Sequence, residues 1–323
     1  MATGCPPLLR QQWRSHRIMA QARTRLAAAL SMARDRVGTR TGLLVLPVVG
    51  FELVVFAGAL GYLLRMSFYA STPDGLYQPG TWTVTNYTQL LTDSYLQGRL
   101  LFSLQLGAVV TAITLVVGFI YAYAAWRASG RFRAVLLGAV LVELLISIVI
   151  KVYAWVPLLA PNGTFNSLLV GSGLAESPVA LLGNGVGVVI GLVYSMLPYV
   201  VLAVYAVLTS LDWSHVEAAR DLGASRPRSV LEVVVPQAVP GLLAGGITAF
   251  SWSTVAFAAP SILGSPSERT VASEAGRFVN TTFDWPRAAA LGIEAVVVVV
   301  LVIGLAVALV RRFGPADTTE GVL

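Results

Sequence analysis

Few side chains in this 323-residue chain could carry chemistry, and their positions narrow what that chemistry is. The only lysine is Lys151, the only histidines are His16 and His215, and the only cysteine is Cys5. A nucleotide-hydrolysing loop of the form G-x-x-x-x-G-K-[ST] needs its lysine to reach the terminal phosphates. Lys151 sits instead in the apolar run IVIKVYAWV, so no such loop exists. H-E-x-x-H is absent and both histidines lie outside the apolar runs, so neither a membrane metalloprotease nor a Ser-His-Asp hydrolase is supported. The chain reads as a non-enzyme. A lone Cys5 forms no intramolecular disulfide and, with no apolar run before it, marks no lipoprotein cleavage site.

The remaining candidates are ionisable groups inside apolar segments: Glu52, Glu143, Lys151 and Glu294. Each costs about 2.5–3.5 kcal/mol at the bilayer centre, so each must face protein or a water-filled path. In an unbroken helix Glu143, Ser147 and Lys151 share one face, and eight residues separate the two charges by about 12 Å. That spacing predicts no direct pair: each would seek a partner on another helix, and Lys151, near the outer end of its span, could snorkel. Glu143 is either an interhelical contact or part of a path. Aromatic rings that could face a cation in such a path are Tyr153, Trp155, Tyr194 and Trp252, each equally able to pack or to sit at the interface.

One polar stretch interrupts the apolar chain, EAARDLGASRPRSVLEVVVP, from Glu217 to Pro236. Ser214 and Glu217 have the spacing of a capping box, which predicts a helix from about His215 to Leu222. Gly223 then suits the left-handed position after a helix end, and Ser225-Arg226-Pro227 suits a second helix start. Val230, Leu231, Val233 and Val234 provide its apolar face. The expected result is a surface helix–turn–helix that displays Ala218 and Ala219, small enough for a close approach, among Glu217, Arg220 and Asp221.

The elements that position these groups follow from composition. Hydrophobic residues make up 56% of the chain and charged residues 12%, where a soluble domain carries about a quarter charged. A span needs about 20 apolar residues, and six segments qualify: 43–64, 100–125, 134–156, 184–211, 238–263 and 288–310. The small residues Gly187, Gly191, Gly245 and Gly246 suit close helix contacts. The first apolar run is long enough to span and no cleavable signal peptide is expected. Arginines crowd the N-terminal tail (eight between Arg10 and Arg40) and the segments 127–133 and 212–236, while 66–98 and 157–183 hold no Lys or Arg. The bias places both termini and the 212–236 segment in the cytoplasm. The tail, residues 1–42, reads as solvated or in contact with anionic lipid, not as a nucleic-acid binder. Residues 43–312 form the transmembrane domain and 313–323 a second cytoplasmic tail. Trp82, Tyr87 and Tyr95 in the outer 66–98 segment fit an interfacial belt or a docking surface equally well.

The spacing E-A-A, three residues, Gly, nine residues, aliphatic, one residue, aliphatic, Pro resembles the EAA motif of ABC importer permeases. Glu217, Ala218, Ala219, Gly223 and Pro236 fall on it, with Val233 and Val235 replacing the usual Ile and Leu. VTNYTQLL, KVYAWVPLL, GLVYSMLPYVVLAVYAVL and DWPRAAALG are similar to spermidine/putrescine-type permeases, over roughly residues 42–315. Two departures stand out. Lys151 occupies the usual place of an arginine, and Ala256 a place that is commonly acidic. The resemblance implies an all-α fold of six transmembrane helices, the type I importer (MetI-like) fold, in which the segment around Glu217–Asp221 is a cytoplasmic coupling helix. It also implies partners: ATP-binding cassette subunits that bind the ATP and Mg²⁺, a second permease that in polyamine-type systems is a different chain, and an extracytoplasmic substrate-binding protein. The implied cargo is a polyamine or another small solute such as an aminoalkylphosphonate or iron. A secondary transporter or channel is the alternative from another class, but no internal repeat supports it.

Overall fold

The computed structural model describes residues 47–72 and 77–313. The basic tail 1–42 with Cys5 and His16, and the C-terminal tail after 313, lie outside the described residues. Contacts divide the chain into two units, Met1–Tyr62 and Leu63–Leu323. In the first, the described part is an apolar helix bearing Glu52, which belongs to α1 (Pro47–Ser67).

The second unit is helical apart from a small hairpin, β1 (Ala70–Ser71) pairing antiparallel with β2 (Tyr77–Gln78). The long helices α3 (Ser94–Arg127), α7 (Gly185–Thr209) and α10 (Val235–Thr254) form its centre. Val200 of α7 is the pivot of their packing. A Cβ added at Gly118 of α3 would lie 2.6 Å from the Val200 side chain, and one at Gly245 of α10 would lie 3.1 Å from its Cα. Glycine on both flanks therefore sets how closely the three backbones approach. Buried Ala122, Val201, Val204, Leu208 and Ala249 fill the same layer. At the other end, α2 (Thr85–Thr92), α12 (Val271–Arg277) and α13 (Trp285–Phe313) enclose Leu90, Leu96, Val271 and Leu291.

Among the described residues six helical stretches are long and apolar enough to cross a membrane. Two depart from the expected boundaries. The segment 134–156 is not one helix: α4 (Gly130–Leu145) ends and α5 (Ile148–Leu159) begins after extended Ile146 and Ser147, with ψ of 131° and 136°. The span here runs Ile148–Gly171, from α5 through a turn into α6 (Thr164–Gly171). The segment 238–263 is also broken. After α10 the chain leaves the helix at 255–257 and restarts as α11 (Ala258–Leu263). Pro260 explains this, because its ring would clash with the carbonyl four residues back in a continuous helix. That carbonyl, of Ala256, is turned aside and accepts the Thr270 hydroxyl at 2.6 Å.

Candidate functional site

The polar stretch folds as two short helices, α8 (Ser214–Asp221) and α9 (Arg226–Ser229), the second continuing through one π turn (Val230–Val234) into α10. The π turn fits Pro236, which has no N–H to offer the carbonyl at 232. The expected capping box is not formed: Trp213 is the N-cap, without a side-chain cap bond, and the Glu217 N–H bonds its carbonyl at 3.2 Å. The Asp212 carboxylate accepts the Ser214 N–H at 2.9 Å. Bonds from the Ser214 backbone first, then its side chain, hold the Asp212 carboxyl below its ordinary range. The other end is as expected. Gly223 has φ of +93°, and the N–H groups of Gly223 and Ala224 bond the carbonyls of Arg220 and Ala219 at 2.9 and 3.0 Å, a Schellman closure.

The segment is fixed to the helix ends beneath it. The Arg127 guanidinium lies 3.9 Å over the Trp213 ring, and Trp126 meets that ring edge-on at 5.3 Å. Val216 and Val234 are buried in the central core. What it presents outward is different in kind. Glu217, Ala218, Arg220 and Asp221 are exposed, as are Leu222 (89%) and Leu231 (66%). Glu217, Arg220 and Asp221, with Ala224, Ser225 and Arg226, line an open concavity of about 570 Å³. None of these three charged residues enters an ion pair among the described residues. Pro236 is exposed in the first turn of α10.

The membrane-embedded candidates separate into groups. Lys151 and Glu143 do pair, Nζ to Oε1 at 3.4 Å, with side chains only 5% and 12% exposed. The break at Ile146 and Ser147 overturns the helix-face expectation, because it folds the chain back and removes the 12 Å separation a straight helix would impose. Snorkelling of Lys151 is overturned with it. The Glu143 carboxylate also lies in electrostatic reach of the Tyr121 and Tyr194 hydroxyls. Tyr194 stands edge-on to Trp155 at 5.5 Å, so Glu143, Lys151, Trp155 and Tyr194 form one neighbourhood. Tyr153 is exposed. Trp252 stacks on Tyr199 at 6.5 Å and, with Ile148, Leu192, Met196, Val255 and Phe257, lines an apolar cavity of about 450 Å³. Both helix breaks border that cavity. Irregular backbone at membrane depth is tolerated where it lines a cavity or is covered by protein.

A third cluster escaped the sequence reading. Glu274 in α12 is fully buried and accepts Arg277 Nε and Nη2 at 2.7 and 2.5 Å and the Tyr95 hydroxyl at 3.2 Å. The bond to Glu274 holds the Arg277 guanidinium above its ordinary range. The i, i+3 spacing of Glu274 and Arg277 behind Thr270, which caps α12 by accepting the Ser273 N–H, was the available signal. Nearby, burial pushes the Glu268 carboxyl up, but bonds from Ser265 and Ser267 outweigh it and hold it below its ordinary range. The aromatics of 66–98 make internal contacts, although Trp82 and Tyr95 stay exposed. Arg65 lies 4.1 Å from the Tyr69 ring and 3.8 Å from that of Trp82, and Tyr87 bonds Ser67 at 2.6 Å.

Six apolar spans, with broken helices around a cavity at membrane depth, define a multi-pass helical membrane protein of the transport kind. The chain belongs to the family described as binding-protein-dependent transport system inner membrane components, whose sequence pattern matches residues 134–315. It is 28% identical over 264 residues to the spermidine/putrescine transport system permease protein PotB of Escherichia coli K12, covering 80% of this chain and 94% of that one. It is 32% identical over 291 residues to the inner membrane ABC transporter permease protein YdcU of the same organism, covering 85% and 90%. A bacterial ABC transporter that imports alginate has a similar chain, with TM-score 0.70, 18% identity and coverage of 84% and 95%. The MetNI methionine ABC transporter follows with TM-score 0.52, 17% identity and coverage of 66% and 93%. These solved structures share the type I importer fold with this chain.

Proposed function

We propose that this chain is one permease subunit of an ATP-driven importer, forming half of the path for a small solute, and that 212–236 is where a separate ATP-binding subunit engages it. The observation that carries this reading is the contrast within α8. Its buried side is locked to Trp126, Arg127 and the core, while Glu217, Arg220, Asp221 and Leu222 are displayed without partners among the described residues. Such a segment can pass force to α7 and α10 and has no chemistry of its own. ATP and Mg²⁺ then belong to the partner. The arginine bias supports a cytoplasmic position for the segment and both termini. The other partners are a second permease and an extracytoplasmic binding protein.

A polyamine is the first choice of solute, supported by the relatives named for spermidine and putrescine. Because Lys151 neutralises Glu143, the ring of Trp252, which lines the cavity, is left as the cation-attracting surface there. Another small solute is the second reading, since transporters of alginate and methionine have the same fold. The test is to purify the tagged chain with its associated proteins and titrate the captured binding protein with spermidine and putrescine. Capture of an ATP-binding subunit and polyamine binding are expected. Capture without polyamine binding moves the solute to the second reading, and no capture removes the importer reading.

A further inference from the structure

On the side of the membrane opposite α8, between α11 and α12, lies a cleft of about 380 Å³ lined by Phe257, Ser265, Arg269, Ser273, Arg277 and Asn280, among others. The sides follow from topology: α10 has 20 residues, about 30 Å of helix, enough for one crossing.

The charge in this cleft is unbalanced. Two guanidiniums line it, while two carboxylates, Glu274 and Glu268, lie behind the lining. Arg277 takes the Glu274 carboxylate through two hydrogen bonds. Arg269 is left 3.9 Å from Glu274, beyond hydrogen-bond range, with its side chain 36% exposed. Glu268 is taken up by bonds from Ser265 and Ser267, so what the cleft presents is the Arg269 guanidinium, a planar donor fork whose donors no described residue accepts. A guanidinium in that state matches a carboxylate, which it can bind through two parallel bonds. A cationic solute, by contrast, would be repelled.

The walls are held in place. Ser103 accepts the Val271 N–H at 2.9 Å, Arg99 donates to the Ser267 carbonyl at 2.6 Å, and Thr270 bonds Ala256. Phe257 lies against Gly276, where a Cβ would come within 2.6 Å of its ring. The same ring borders the apolar cavity on its other side, so it separates a cationic outer cleft from an apolar inner one.

We infer that this cleft is a docking socket for an acidic side chain on the extracytoplasmic binding protein, with Arg269 as the receiving group. The inference rests on the importer reading above and adds where, and through what charge, that partner attaches. An attraction of this kind acts mainly on association rate and salt dependence.

The test measures docking of the binding protein to the complete transporter in lipid nanodiscs. Arg269→Glu is expected to weaken docking about tenfold, mostly through a slower association rate. Arg269→Gln, which cannot repel Glu274, is expected to weaken it by a smaller factor. Replacing one surface acid of the binding protein by arginine should restore docking to Arg269→Glu. Docking of both variants at the wild-type level, with wild-type docking intact, overturns the socket alone. Loss of the second permease from Arg269→Glu preparations also overturns it, since the cleft would then be an interface between membrane subunits. A wild-type complex that docks no binding protein overturns the importer reading as well.

Discussion

The two polar regions at opposite ends of α10 handle charge in opposite ways. In 212–236 the charges of Glu217, Arg220 and Asp221 point outward, outside any ion pair among the described residues, from a scaffold held by aromatic and apolar contacts. In 265–282 the central charge is withdrawn from water, with Glu274 fully buried under Arg277 and Tyr95. Removing a displayed charge costs a partner its contact and leaves the fold alone. Removing a buried one leaves its counter-ion stranded. The first region is built to be touched and the second to hold its own shape, with only Arg269 at its edge left over.

The sharpest way to break this contrast is to truncate one charge from each region. Glu274→Ala should destabilise the protein by about 3 kcal/mol, the low end for a buried pair because Arg277 keeps some water contact. Glu217→Ala should leave thermal stability unchanged while abolishing uptake. Equal stability losses in thermal unfolding of the two variants would erase the distinction.

The buried pair Glu143–Lys151 offers a next step down. Lys151→Met and Glu143→Gln should each destabilise, and the double variant should recover part of the loss, with a coupling of about 1–2 kcal/mol. Strict additivity would mean that the pair contributes nothing and the α4–α5 break is held otherwise.

Gly223 separates two reasons for a glycine. No atom of the described residues lies within 4 Å of a Cβ added there, so among them only its left-handed backbone matters. Asparagine tolerates that conformation better than a β-branched residue does. Gly223→Asn should therefore preserve α8 and Gly223→Val should fray it by about 1 kcal/mol, read by hydrogen exchange at Gly223 and Ala224. If Gly223→Asn keeps the fold yet loses uptake, the partner needs the empty space.

The smallest expected effect is on pH. Asp212 has a lowered carboxyl pKa, so its bond to Ser214 is present in the ordinary pH range and lost as pH falls through that lowered value. Amide exchange at the start of α8 should rise on acidification below the ordinary aspartate range. In Asp212→Asn that rise should be absent.

Much of the first region was legible and little of the second. Gly223, Arg226-Pro227 and the arginine bias are local signals, and they located both short helices and the turn between them. The cap was misassigned to Ser214: the Glu217 N–H it would have taken bonds the Trp213 carbonyl, and Ser214 itself gives its N–H to Asp212. The α10 break carried a visible cause, Pro260. The α4–α5 break carried almost none: its run Ile146-Ser147-Ile148-Val149-Ile150 favours helix only weakly, and nothing local says where it opens. From there a straight-helix distance kept Glu143 and Lys151 apart on paper. The Glu274 cluster depends on Tyr95, 179 positions away, a separation that periodicity does not reach.

The decisive contact is the one made at α8. A photo-activatable residue placed at Leu222, exposed on the coupling face, should cross-link in native membranes to an ATP-binding subunit. The same probe at Trp82, exposed in the outer segment, should not. An ATP-binding subunit captured from Trp82 and not from Leu222 would contradict the assignment of 212–236 as the coupling segment.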